Sequence, residues 1–203
     1  MAAEVLAEAG LAVEVYDAMP SPARKFLLAG KGGMNITHSE PLPAFIARYG
    51  ARADIFARLL AGFGPDQLRD WCRGLGIDTF VGTSGRVFPT DFKAAPLLRA
   101  WLRRLRAAGV RLHARHRWLG WDAAGRARFA TPAGEVTVAA PATVLALGGA
   151  SWPRLGSDGG WVPLLTARGI AVAPLKPANC GFDFGWSEVF RARFAGAPVK
   201  PVV

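Results

Sequence analysis

Leu11-Ala-Val-Glu-Val-Tyr-Asp17, followed by Arg24-Lys-Phe-Leu-Leu-Ala-Gly-Lys-Gly-Gly-Met-Asn-Ile-Thr-His38, puts an apolar run ending in a carboxylate shortly before a glycine-rich loop. The first stretch reads as a buried strand with Asp17 at its tip. Ahead of it, Met1 to Ala9 has a helical pattern that closes at Gly10. A dinucleotide-binding unit runs strand, glycine turn, helix, second strand, and then an acidic residue that hydrogen-bonds a ribose hydroxyl. In that order Met1 to Ala9 can only be the helix. The first strand and the phosphate-binding glycines are therefore expected before residue 1.

Further along, Pro20 and Pro22 force an extended turn. Pro41 to Ala61 and Pro65 to Gly74 read as two helices, the second with proline at its first position. They are expected to pack through Phe56, Leu59, Leu60, Leu68 and Trp71. Thr79 to Val81 and Arg86 to Phe88 form a hairpin, and Asp91 is placed to cap an amphipathic helix over Phe92 to Ala108 that Gly109 ends. A strand over Val110 to His113 precedes three short segments near Arg117 to Trp121, Arg126 to Thr131 and Glu135 to Ala139. Turns separate them, and they read as an antiparallel meander. Thr143 to Leu147 reads as a fully apolar strand, Gly159 to Arg168 as a helix, and Ile170 to Ala173 as the next strand. From about Leu175 prolines, glycines and aromatics dominate.

Arg24 to His38, taken with Val87-Phe88-Pro89 and Leu147-Gly-Gly-Ala-Ser-Trp-Pro153, resembles the bacterial HI0933-like flavoproteins, a family of NAD(P)/FAD-dependent oxidoreductases. The resemblance covers nearly the whole chain. Near-relatives carry a Gly-Gly-Gly-x-Ala-Gly-Leu run that would end about where Met1 stands, and they continue past residue 203. The resemblance implies an α/β fold: a partial glutathione-reductase-like FAD-binding Rossmann domain, with a parallel sheet, an antiparallel β-meander as its crossover and a helical insertion. The implied division is residues 1–174, with the insertion at about 41–76, and then 175–203 as the start of a mostly β second domain.

On this reading Asp17 accepts the ribose hydroxyls of FAD, and Arg24 and Lys25 stand where the family contacts the cofactor, as two cations beside a pyrophosphate. Gly30, Gly32 and Gly33 permit close backbone approach. Asn35 and Thr37 match the family pattern, whereas Gly33-Met34 replaces the usual Arg-Cys, which excludes chemistry through that thiol. Gly148 and Gly149 follow the Ala-Thr-Gly-Gly style of two-dinucleotide flavoproteins, and Trp118 aligns with the position whose main chain meets the adenine. Gly156, Asp158, Gly159 and Gly160 form either a second anion-facing turn or a plain one.

Other chemistries find little support. Cys72 and Cys180 lie far apart without a Cys-x-x-Cys motif, and Cys72 reads as a small core residue. His113 and His116, three apart, should face opposite sides, which argues against a metal pair. Thr83-Ser84-Gly85 lacks the spacing of a nucleophile elbow, and acidic residues are too scattered for paired-carboxylate hydrolysis. The net charge of +10 raises nucleic acid as a partner. Against that, Arg99, Arg103 and Arg106 recur opposite Leu98, Trp101, Leu102 and Leu105, the pattern of a solvated helix face. No run approaches the roughly 20 apolar residues of a membrane span, and a cytoplasmic location is the expectation.

The leading function is an FAD-dependent oxidoreductase moving hydride between a reduced nicotinamide, NAD(P)H, the flavin and a small-molecule substrate. Two rivals remain: a non-catalytic, truncated remnant of such a flavoprotein, and a basic nucleic-acid-binding module. No acid or base is identifiable. Residues 1–203 expressed alone are expected to be colourless, marginally stable and inactive, because the absent strand and glycine turn leave only peripheral contacts to FAD.

Overall fold

A computed structural model describes residues 1–29, 32–176 and 185–195. The chain divides into two compact units, Met1–Ala173 and Pro174–Val203.

The first unit is α/β. Helix α1 (Ala2–Glu8) ends as Gly10 turns to φ +79°, and β1 (Glu14–Asp17) follows. β1 pairs in parallel with β5 (Arg111–Ala114), in the register Glu14 to Arg111 and Tyr16 to His113. Cross-strand side chains reinforce the pair: Arg111 meets Glu14 at 2.5 Å, and the Tyr16 and His113 rings stack at 4.5 Å. The strand is shorter and less buried than its apolar sequence suggests, since Leu11 is 56% exposed.

The core lies against α6 (Ala94–Ala107), which buries Ala94, Leu97, Leu98, Ala100 and Leu105. Its arginines Arg99, Arg103 and Arg106 are exposed, as the periodicity predicts. Arg104 differs. It turns inward to pair with Glu4 of α1, a buried carboxylate that also accepts from Trp71 Nε1 (3.1 and 3.3 Å) and Trp101 Nε1 (2.9 Å). The two indoles meet edge to face at 5.0 Å, and the Arg104 guanidinium lies over Trp71 at 5.6 Å. Buried charge is tolerated where an opposite charge and hydrogen-bond donors meet it, as they do at Glu4, and this hub ties α1 and α6 to the insertion.

Within the insertion the expected first helix is split into α3 (Leu42–Ala47), a 3-10 turn (Gly50–Arg52) and α4 (Ala53–Gly62). Gly50 at φ +53° makes the break, and the Tyr49 and Phe56 rings stack across it at 3.6 Å. Leu59 is 60% exposed and leaves the expected packing set. α5 (Pro65–Gly74) begins at its proline, with Gln67 Oε1 accepting from Gly64 N at 3.0 Å. Cys72 is fully buried, and burial pushes its thiol up to about 11.

The hairpin of β3 (Thr79–Val81) and β4 (Arg86–Pro89) forms as read, and β2 (Thr37–His38) joins it in the order β2-β4-β3. Asp91 accepts from Lys93 N at 3.0 Å, so it braces the turn before α6, whose N-cap is Lys93. The meander of β6 (Arg117–Trp121), β7 (Ala127–Thr131) and β8 (Gly134–Val138) also forms as read. Phe129 of β7 stacks on Tyr16 at 4.4 Å and fastens the meander to β1.

The segment after the meander departs from expectation. Thr143 to Leu147 forms no strand and is largely exposed, with Val144 at 62%, because no neighbouring strand is aligned to take its backbone groups. Ile170 to Ala173 forms no strand either, and the helix expected over Gly159 to Arg168 contracts to α7 (Val162–Thr166). In the second unit the described residues hold α8 (Glu188–Phe194), capped by Ser187 Oγ accepting from Phe190 N at 3.3 Å. Cys180 lies outside the described residues. No helix among them is long and apolar enough to cross a membrane.

Candidate functional site

The tip of β1 is the natural centre, because ligands of open α/β sheets bind beyond the carboxyl ends of parallel strands. Asp17 ends β1 opposite Ala114 and is half-buried. Its Oδ1 accepts from Met19 N at 2.8 Å in a side-chain turn, and its main-chain oxygen accepts from His116 N at 2.9 Å. Oδ2 has no partner among the described residues.

Two other loops reach this tip. Gly156, at φ +86°, lies against Met19 so closely that a Cβ there would stand 3.0 Å from Met19 Cγ. The positive φ favours glycine there, and any side chain would press on the flexible Met19. The 3-10 turn Pro153–Leu155 that it ends is closed by Trp152 and Ser157, which exchange two backbone hydrogen bonds of 3.1 Å. Helix α2 (Arg24–Ala29) also reaches this region, where Lys25 Nζ donates to Ser151 Oγ at 2.7 Å, two residues after Gly149. Arg24 is exposed, and its Nε donates to Ser21 Oγ at 3.3 Å.

The turn Gly156 to Gly160 is not anion-facing. Gly159 N donates to Gly149 O (3.2 Å) and Gly160 N to Asp158 Oδ1 (3.0 Å), so those amides are occupied. The Gly160 amide, and then Arg117 at 3.0 Å, hold the Asp158 carboxyl below its ordinary range.

The remaining candidates separate into two groups. Trp118 sits on β6 opposite Phe129 and meets Trp121 edge to face at 4.8 Å. The glycine loop goes elsewhere: Gly33 (φ +112°) abuts Phe92 and Phe88, Met34 N donates to Phe92 O at 2.8 Å, and Thr37 pairs with Val87. Gly33 and Thr37 are thus held at β4 and the start of α6, Asn35 N donates to Gly33 O at 3.0 Å, a Cβ at Gly32 would meet nothing within 4 Å, and no hydrogen bond links these residues to Asp17. Gly30 lies outside the described residues.

Sequence reasoning missed the Tyr16 cluster. His113 and His116 do not face opposite sides, because Arg115 adopts φ +60° just past β5 and swings His116 back to within 5.5 Å of both the His113 and Tyr16 rings. The Tyr16 hydroxyl donates to Glu14. Burial and that bond push it up to about 12, and the same bond, with Arg111 and His113, lowers the Glu14 carboxyl. Among the described residues no three His, Cys, Asp or Glu side chains gather to hold a metal ion.

Residues 1–187 match the HI0933-like protein Rossmann domain. The chain belongs to the HI0933-like family. This family is of the FAD-binding, oxidoreductase type. No curated protein matches the chain. Several features of this HI0933-like chain fit such a cofactor. The buried Ser157 Oγ and Trp118 Nε1 both lack a hydrogen-bond partner among the described residues, and a Cβ at Gly149 would meet nothing within 4 Å. These unanswered polar groups lie on loops and strands around the β1 tip, where a polar ligand would satisfy them. Ser151 was read only as part of the Leu147–Pro153 motif, and Ser157 was not singled out. Their only signal was adjacency to the Gly148-Gly149 and Gly156 turns.

Proposed function

We propose that this chain forms the FAD-binding part of an oxidoreductase that moves hydride between a reduced nicotinamide, the flavin and a small organic substrate. The observation that carries this reading is the Asp17 carboxylate at the end of a parallel strand, with one oxygen unengaged, beside the loops that hold Lys25, Ser151 and Gly149. Asp17 is suited to accept ribose hydroxyls, and Arg24 and Lys25 to neutralise phosphate charge, with Lys25 already oriented by Ser151. Gly148 and Gly149 leave the main chain approachable, and Trp118 and Ser157 offer donors. FAD, when bound, supplies the redox chemistry. Nucleic acid is not a specific partner on this reading: the arginines Arg99, Arg103 and Arg106 line one exposed face of α6, and any retention on DNA would vanish with moderate salt.

Fluorescence titration of FAD tests the reading, using the chain alone and the chain extended by its in-frame flanking sequence. Asp17→Ala should weaken binding in the extended protein by about 1.5–3 kcal/mol, the scale for a lost charged hydrogen bond. An unchanged dissociation constant would remove Asp17 from the site.

A further inference from the structure

We propose that His116 is a positioning residue for the Asp17 carboxylate, acting through the main chain of Arg115, a role that rests on the reading of Asp17 as a ligand of the FAD ribose. The carboxylate can meet a ligand only if the short turn that carries it, Asp17 to Met19, holds its shape. Met19 N donates to Asp17 Oδ1 at 2.8 Å, which fixes the side chain from inside the turn. The ends of the turn are held from outside, by consecutive amides just past β5. His116 N donates to Asp17 O at 2.9 Å, and Arg115 N donates to Met19 O at 3.0 Å.

Successive amides of an extended strand point to opposite sides, so β5 could not make both bonds by simply continuing. Arg115 turns to φ +60°, a left-handed backbone that brings neighbouring N–H groups onto one side. That conformation is unfavourable for arginine, whose Cβ crowds the carbonyl that follows it. The Arg115 side chain is exposed, so its packing does little to hold it there. His116 supplies the restraint: its Nδ1 lies 2.8 Å from Ala114 O. A carbonyl only accepts, so Nδ1 carries the proton, and the bond spans Arg115 from residue 116 back to residue 114. The imidazole is itself fixed among rings of three strands, with Tyr16 and His113 at 5.5 Å and Phe129 at 6.2 Å.

What matters in this role is the Nδ1 proton, not the bulk of the ring. His116→Phe keeps an aromatic ring beside Tyr16, His113 and Phe129 and removes the donor. His116→Asn removes the ring and returns an N–H donor at a similar distance from the main chain. Glycine enters the left-handed region freely, so Arg115→Gly makes the restraint unnecessary. A residue that only filled the space beside Tyr16 would give the opposite ranking, with His116→Phe tolerated, His116→Asn damaging and Arg115→Gly without effect.

Amide hydrogen exchange on the 203-residue chain reads the turn without any ligand. His116→Phe should speed exchange at positions 19 and 115 by about tenfold, while Val15 and Leu112 keep the parent's rates. His116→Asn should return exchange to within about threefold of the parent, and so should Arg115→Gly added to His116→Phe. An equal rise at Val15 and Leu112 would mean that His116 supports the whole fold, and would overturn the proposal. Fluorescence titration of FAD into the chain extended by its in-frame flanking sequence reads the consequence. There His116→Phe should weaken FAD by about threefold to tenfold, and both restoring changes should recover most of that loss. Unchanged exchange or unchanged FAD affinity in His116→Phe, or failure of both restoring changes, would also overturn it. An extended parent that binds no FAD would instead overturn the function proposed above, and exchange would still decide whether His116 positions Asp17.

Discussion

Glu14–Asp17 and Thr143–Leu147 are both short, β-prone segments next to candidate cofactor residues, yet they end in opposite states. The first lies in register beside β5, with the rings of Tyr16, His113 and Phe129 stacked across it. The second pairs with no strand, and Val144 and Leu145 stand 62% and 39% exposed. Glu14–Asp17 is the less apolar of the two, so hydrophobicity does not separate them. The difference lies in the neighbour. A strand is stable only where an adjacent chain takes its N–H and C=O groups and covers one face.

The largest test concerns the helices that support the ordered region. Glu4→Ala removes the carboxylate that Trp71, Trp101 and Arg104 share, and should cost about 3–5 kcal/mol, the penalty for breaking a buried pair. In urea denaturation, a midpoint no lower than that of Glu8→Ala would mean that α1 and α6 hold together by apolar packing alone. Amide hydrogen exchange addresses the comparison directly. Val15, Tyr16 and Leu112 should exchange at least about a hundredfold more slowly than Val144, Leu145 and Ala146. Equal rates would mean that pairing with β5 does not protect β1 more than the unpaired segment is protected.

A pH scan gives a smaller effect. The Cys72 thiol is raised from its ordinary 9.0 to about 11 by burial. A raised folded pKa favours the neutral thiol, so its contribution is fully present below pH 9 and is lost as pH climbs to 11, by about 2 kcal/mol. Tyr16, raised from 10.0 to about 12, extends the loss upward. Cys72→Ala should flatten the curve between pH 9 and 11, and a slope identical to the parent's would assign the loss elsewhere. The smallest effect belongs to Val144→Thr, which should change stability by less than about 0.5 kcal/mol, as exposed positions do. A loss above about 1 kcal/mol would mean that this segment is covered in solution.

Much of the α/β organisation was legible because local signals and tertiary contacts agree there. Gly10, Pro65 and Gly109 punctuate helices by their own backbone chemistry, and the meander follows from alternation between turn residues. The candidate site was legible in part. Lys25 reaches Ser151, two residues past Gly149, and Gly156 meets Met19 beside Asp17, whereas Gly33 lies against Phe88 and Phe92 and Thr37 pairs with Val87, neighbours distant in sequence. The His113 and His116 prediction failed because strand alternation stops where Arg115 takes a positive φ, a local strain that periodicity does not encode.

The amino-acid sequence by itself determined the fold class, the β3–β4 hairpin and the meander, the amphipathic face of α6 and the carboxylate at the end of β1. Each depends on residues within a few positions of one another, through φ preferences, caps and periodicity. Tertiary structure alone decided which apolar run became a strand, which arginine of α6 turned inward to Glu4, and which polar groups around Asp17 were left without partners. Those outcomes turn on long-range neighbours. Burial, pairing and desolvation are properties of the space between segments, and no single segment carries them.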